Sequence, residues 1–114
     1  MQAYNQTRQT TIAHHVEKAH TMFSRMRGLL GKKTMPEGFG MWISPCSSIH
    51  TFFMKFPIDV AFLSSDQHVV KVLHSFKPFR LSSWEHSSLS VLELASGTLQ
   101  QSGTQVGDRV VFIA

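Results

Sequence analysis

The chain has 114 residues, 42% of them apolar and 16% charged, with a formal net charge of +4. This is the length of one domain, able to bury about two-thirds of the surface its unfolded form exposes, and the apolar content excludes a disordered chain. A single cysteine, Cys46, excludes an intramolecular disulfide and suits a reducing compartment.

Residues 1–11 are polar and lack the apolar core of a secretory signal. No apolar run approaches the ~20 residues needed to span a bilayer. The expectation is a cytoplasmic protein of one domain over 1–114, with 1–9 a flexible lead-in. In 10–17, Ile12, His14 and Val16 alternate, which predicts a first strand. Thr21 is placed to cap a short helix over 22–30, where Met22, Met26, Leu29 and Leu30 form an apolar stripe and Gly31 ends the run. A turn at 35–38 leads into a strand at 39–43, which Pro45 breaks. Further strands are predicted at 49–54, 58–63, 69–73 and 88–94, with a hairpin turn at 64–67 and an irregular stretch at 75–86. Ser96 is placed to cap a short helix at 98–101, closed by Gly103. Gly107-Asp108 turns into a last strand at 109–113.

Polar groups concentrate inside one apolar stretch, 41–63, MWISPCSSIHTFFMKFPIDVAFL. Cys46 and His50 are four residues apart. On a strand at 49–54, His50, Phe52 and Met54 share one face. Asp59 lies in the apolar run that follows Pro57, and a carboxylate there is costly to bury unless donors reach it. Lys55, His50, Arg27 or backbone N–H groups are the candidate donors. The plain outcome is that Asp59 serves turn or strand-end N–H groups; the sharper one is that it anchors a ligand or a catalytic histidine. Cys46 and His50 suit a thiolate activated by imidazole, with Asp59 orienting the base. No nucleophile signature surrounds Cys46, and the simpler reading is a small buried cysteine beside a hydrogen-bonded histidine.

Zinc sites need three or four ligands at tighter spacing, and His14, His15, His20, His68, His74 and His86 show none. Neither a metal nor another cofactor is expected. Gly38-Phe39-Gly40 lacks the strand, loop and helix context of a phosphate-binding loop. Lys18, Arg25, Arg27, Lys32 and Lys33 form a basic segment without an acid, which reads as a solvated face before it reads as a nucleic-acid footprint. Phe76, Phe79 and Trp84, beside Lys77 and Arg80, form a basic-aromatic group. Such groups stack on bases, although aromatic anchors of loops are commoner.

Several segments resemble the domain of unknown function 192 family. Residues 23–30, FSRMRGLL, resemble its R-x-x-GL signature. Gly40-Met41-Trp42-Ile43 resembles the strand that follows, and 53–62, FMKFPIDVAF, its central WMK…PLD segment, with Phe53 where many members carry Trp. Residues 91–97, VLELASG, and 106–110, VGDRV, resemble its closing LEL-x-x-G and GD-x-V segments. The resemblance marks Arg27, Gly28, Met54, Lys55, Asp59, Glu93, Gly107 and Asp108 as matched positions. It implies a small domain, mostly bacterial or archaeal, of an uncharacterised family, and no activity. Arg27 and Asp59 are its natural charge-assisted pair.

Together these readings predict an α+β fold, a curled and largely antiparallel sheet or open barrel of about seven short strands with one or two short helices. The leading functional expectation is a non-catalytic module that binds a small ligand, peptide or protein segment in a cleft near Cys46, His50, Met54 and Asp59, with Arg27 and Lys55 among the contacts. One alternative is a small hydrolase or transferase with Cys46 as nucleophile and His50 as base. The other is nucleic-acid binding through the basic segment 18–33, which the modest charge excess disfavours. A monomer or weak dimer is expected.

Overall fold

Two apolar runs dictate the centre of the molecule. Residues 58–63, IDVAFL, are buried along their whole length, and so are all but the last of 90–95, SVLELA. Strands buried on both faces belong in the middle of a covered sheet. The computed structural model describes residues 1–19, 34–52 and 54–114. Among them, β1 (Gln2–Asn5), β2 (Thr10–Ala13), β3 (His15–Ala19), β4 (Phe39–Ile43), β5 (Ile58–Leu63), β6 (Val69–Phe76) and β7 (Ser90–Ala95) precede one short helix, α1 (Thr98–Ser102), and β8 (Val110–Ile113). They form a five-stranded sheet, β3-β4-β7-β5-β6, and a three-stranded sheet, β2-β1-β8. Only β3 and β4 pair in parallel; every other pair is antiparallel. The fold is α+β and mostly sheet, and the sheets do not close into a barrel.

Strand alternation divides the core between the two faces of the large sheet. Met41, Ile43, Ile58, Val60, Phe62 and Val91 line one face, under Met35, Ile49, Met54 and Phe56 from the 34–57 segment. Ala61, Leu63, Leu92 and Leu94 line the other, against Ala3, Ile12, Val110 and Leu99 of the small sheet and α1. Burying each large side chain contributes about 1.5–3 kcal/mol.

The strands at 39–43 and 58–63 lie where the sequence predicts them, and the short helix ends at Gly103, whose left-handed φ of 70° suits a helix C-terminus. Four elements differ. The single strand predicted over 10–17 is two, β2 and β3, which belong to different sheets. Residues 2–5, expected within a flexible lead-in, form β1 between β2 and β8, because Ala3 and Asn5 are fully buried there. Of the predicted strand at 49–54, the described residues 49–52 and 54 are irregular apart from one bridge, His50 to Leu81, since Thr51 uses its backbone on the 79–80 turn. Ser96 does not cap α1; Gly97 is the N-cap residue, at φ 92°, and no side chain of its own caps the helix. The predicted helix at 22–30, with Arg25, Arg27 and Gly28, and most of the basic segment lie outside the described residues, as does Phe53.

Candidate functional site

Asp59 caps the fold from inside. It is fully buried on β5, opposite Leu94, and so points to the face that carries Ala61 and Leu63. Its Oδ1 accepts the Ser75 N–H at 2.8 Å, and its Oδ2 accepts those of Gly97 and Leu99 at 3.0 Å each. Gly97 and Leu99 open α1, so Asp59 supplies from a strand the capping oxygen that the helix lacks. A shallow depression of about 300 Å³, lined by His74, Leu99, Gln100, Gly103, Thr104 and Gln105, adjoins this cap.

Cys46, His50, Met54 and Lys55 belong to the segment over the opposite face. Cys46 is half-buried against the Met41–Phe62 cluster, and its thiol donates to the Ser48 carbonyl at 2.9 Å. Met54 is buried within that cluster, while Lys55 is exposed. The His50 ring stacks on Phe52 at 5.1 Å between centroids. The hydrogen bonds among the described residues include none between Cys46 and His50. Asp59, on the other side of the sheet, is not brought to either. Arg27 lies outside the described residues. No group of three His, Cys, Asp or Glu side chains among the described residues is placed to hold a metal ion.

A second carboxylate lies on the Met54 face. Glu93 is fully buried on β7, opposite Met41 on β4 and Val60 on β5. A carboxylate withdrawn from water in this way requires an opposite charge, donors or a proton. The sequence did not give this burial: Leu92-Glu93-Leu94 alternates as a strand with its acid in water, and the one signal against that is Val91 and Ala95 on the Glu93 side.

The outer side of this region is apolar. Segments 46–52 and 79–89 run beside each other, joined by backbone bonds from Cys46 to Leu89, Ser82 to Ile49, Glu85 to Ser47, and Thr51 to Arg80. From them project Phe52 (40% exposed), Phe79 (64%), Leu81 (68%), Trp84 (63%) and Leu89 (48%). Thr51, itself fully buried, holds the turn that presents Phe79. Its hydroxyl donates to the Lys77 carbonyl at 2.6 Å and accepts the Arg80 N–H at 2.9 Å. Its N–H donates to Arg80, and its carbonyl accepts the Phe79 N–H, both at 2.9 Å. Phe79 sits at φ 60°, in the left-handed region that a bulky side chain rarely adopts. The sequence shows Phe79, Trp84, Lys77 and Arg80 as a group; Thr51 gives no such signal, because its role depends on a turn 26 residues away.

Comparison with known proteins agrees with this architecture. A UPF0127 protein of Pyrococcus furiosus is 30% identical over 111 residues, covering 93% of each chain. A UPF0127 protein of Thermococcus sibiricus is 29% identical over 111 residues, covering 93% of this chain and 71% of that one. Among solved structures, a protein of Sinorhizobium meliloti described as a candidate transcription regulator superposes with a TM-score of 0.78 at 23% identity, over 96% of this chain and 89% of its own. A protein of unknown function from Novosphingobium aromaticivorans gives 0.76 at 20% identity, over 97% and 82%. These two show a shared fold. The sequence profile of the DUF192 family, described as uncharacterised ACR, matches residues 3–112, and the chain belongs to that family.

Proposed function

We propose that the chain is a non-catalytic binding module whose working surface is the face made by residues 46–52, 54–56 and 77–89. The observation that carries this reading is the group of large apolar side chains left in water there, Phe52, Phe79, Leu81, Trp84 and Leu89. Scattered exposed apolar residues need no explanation, but five of them on two segments joined by backbone hydrogen bonds support an interaction surface. Tryptophan and other aromatics are the residues that dominate binding energy at such surfaces. The enzyme reading draws less support. The Cys46 thiol is directed to a carbonyl, and Asp59 spends its carboxylate on three N–H groups across the sheet. His50 and Lys55 remain as polar contacts at the edge of the face, with Met54 beneath it.

Selection of a random displayed-peptide library on the full-length chain tests this. Enrichment is expected on the wild type and on Cys46→Ala, and is expected to vanish on Leu81→Ser/Trp84→Ser. Equal enrichment on that double variant would remove the face from the account, and loss on Cys46→Ala alone would return the thiol to it.

A further inference from the structure

We infer that the partner is taken as an extended protein segment that adds a strand along the outer edge of β6, which rests on the binding-face reading above and supplies its mode of capture.

β6 is the terminal strand of the large sheet and pairs only with β5. A strand in that place turns half of its N–H and C=O groups away from the sheet. The start of this edge already holds chain. Val69 donates to Asp108 at 2.8 Å and accepts from Gly107 at 2.7 Å, and Val110 donates to Gln67 at 2.9 Å. His68 bridges Arg109 in the antiparallel sense between them. Past Val69 this cover ends. Among the described residues, no backbone hydrogen bond joins 70–76 to any strand but β5. The edge is thus filled at one end by the chain itself and open along the rest, where a partner segment continues the same pairing.

Side-chain recognition is available on both sides of the open edge. On the Phe62 side, Lys71 donates to Ser83 at 2.7 Å, which holds the segment bearing Leu81 and Trp84 beside β6. On the other side, His74 borders the 300 Å³ depression together with Gln100 and Gln105. Both glutamines are exposed, and among the described residues their side-chain amides make no hydrogen bond. Side chains alternate across an added strand, so successive partner residues meet the Trp84 side and the depression in turn. The fitting sequence alternates apolar residues with short uncharged polar ones. Main-chain bonds then give affinity, and the two flanks give specificity.

A second copy of β6 fits this edge poorly. Register shifts interrupt the β5–β6 ladder on both sides of 71–73, and Lys71 lies within that stretch. Bulges and lysines are the devices that keep long edges from pairing with their like. A short segment of another protein needs only the regular stretch.

The probe is a peptide enriched on the full-length wild-type chain and dependent on Leu81 and Trp84. Its binding is expected to slow amide hydrogen exchange within 70–76. N-methylation of every second peptide residue is expected to lower affinity about tenfold or more, and of the residues between them to cost little. Gln100→Ala/Gln105→Ala is expected to remove the preference for short polar residues and to keep the N-methyl pattern. Affinity indifferent to N-methylation, or slowed exchange confined to 46–52, 54–56 and 77–89, would overturn strand addition and leave the binding face standing. An unchanged residue preference in the glutamine variant would overturn the part given to the depression. A dimer that the peptide dissociates would overturn the inference in favour of a second copy. Absence of any peptide that depends on Leu81 and Trp84 would overturn both the mode and the face.

Discussion

Two residues of one chemical type show how place decides role. Asp59 and Glu93 are both fully buried carboxylates on neighbouring central strands, yet they point to opposite faces of the sheet. Asp59 accepts three backbone N–H groups and so fixes the start of α1 and the bend at Ser75, where φ is 48°. Asp59→Asn keeps the shape but offers one acceptor oxygen and turns an amide N–H₂ toward donors. A loss of about 3 kcal/mol is expected, from charge-assisted bonds weakened and a buried donor left unmet. Urea denaturation of the variant checks it; an unchanged midpoint would mean the carboxylate is dispensable to the fold. The need for donors at Asp59, with turn or strand-end N–H groups as their plain source, was legible from its apolar neighbours. Which N–H groups these are was not, because they come from β6 and from Gly97 and Leu99 at the start of α1, 16 to 40 residues away.

Local pattern fixed the elements wherever a strand is buried on both faces or bounded by a turn. β4 and β5 are examples. It failed where tertiary bonds outbid local alternation. Residues 49–54 alternate well enough for a strand, but Thr51 is bound on both its N–H and its carbonyl to the 79–80 turn, which leaves no ladder to form. The polar composition of 2–5 likewise hid β1, whose place depends on β8 at the far end of the chain. Asp108 ties these ends together, accepting from Asn5 at 3.0 Å, Arg8 at 3.1 Å and the Gln105 N–H at 3.0 Å. Burial alone would raise its pKa, but the Asn5, Arg8 and Gln105 bonds and the Arg8 charge outweigh it and hold the carboxyl below its ordinary 3.8. A lowered folded value means this stabilisation is complete above the unfolded value and is lost as pH falls below 3.8 through the folded one. Asp108→Asn is therefore expected to be less stable at neutral pH and to show a shallower acid limb below pH 4. Parallel limbs in the two proteins would contradict the linkage. Asp66 is also held low, by bonds from Ser64 and His68, but it stands exposed on the 64–68 turn and contributes little to that slope.

At the scale of the molecule, the two faces of the large sheet are covered in different ways. The small sheet and α1 close one of them with strands and a helix. The other is closed by irregular chain on either side of β4, with Met35 before it and Ile49, Met54 and Phe56 after it, and the exposed apolar group lies on that chain and on segment 79–89. Regular structure supplies the rigid floor, and loops supply the recognition surface, a common division of labour. No helix among the described residues is long and apolar enough to cross a membrane. The account's central claim is that Leu81 and Trp84 serve a partner and not the fold. Urea denaturation of the double variant Leu81→Ser/Trp84→Ser tests it most directly. The account predicts a variant as stable as the wild type, with the same denaturant dependence. A loss of about 2 kcal/mol or more would show these side chains to be packing the fold, and would contradict it.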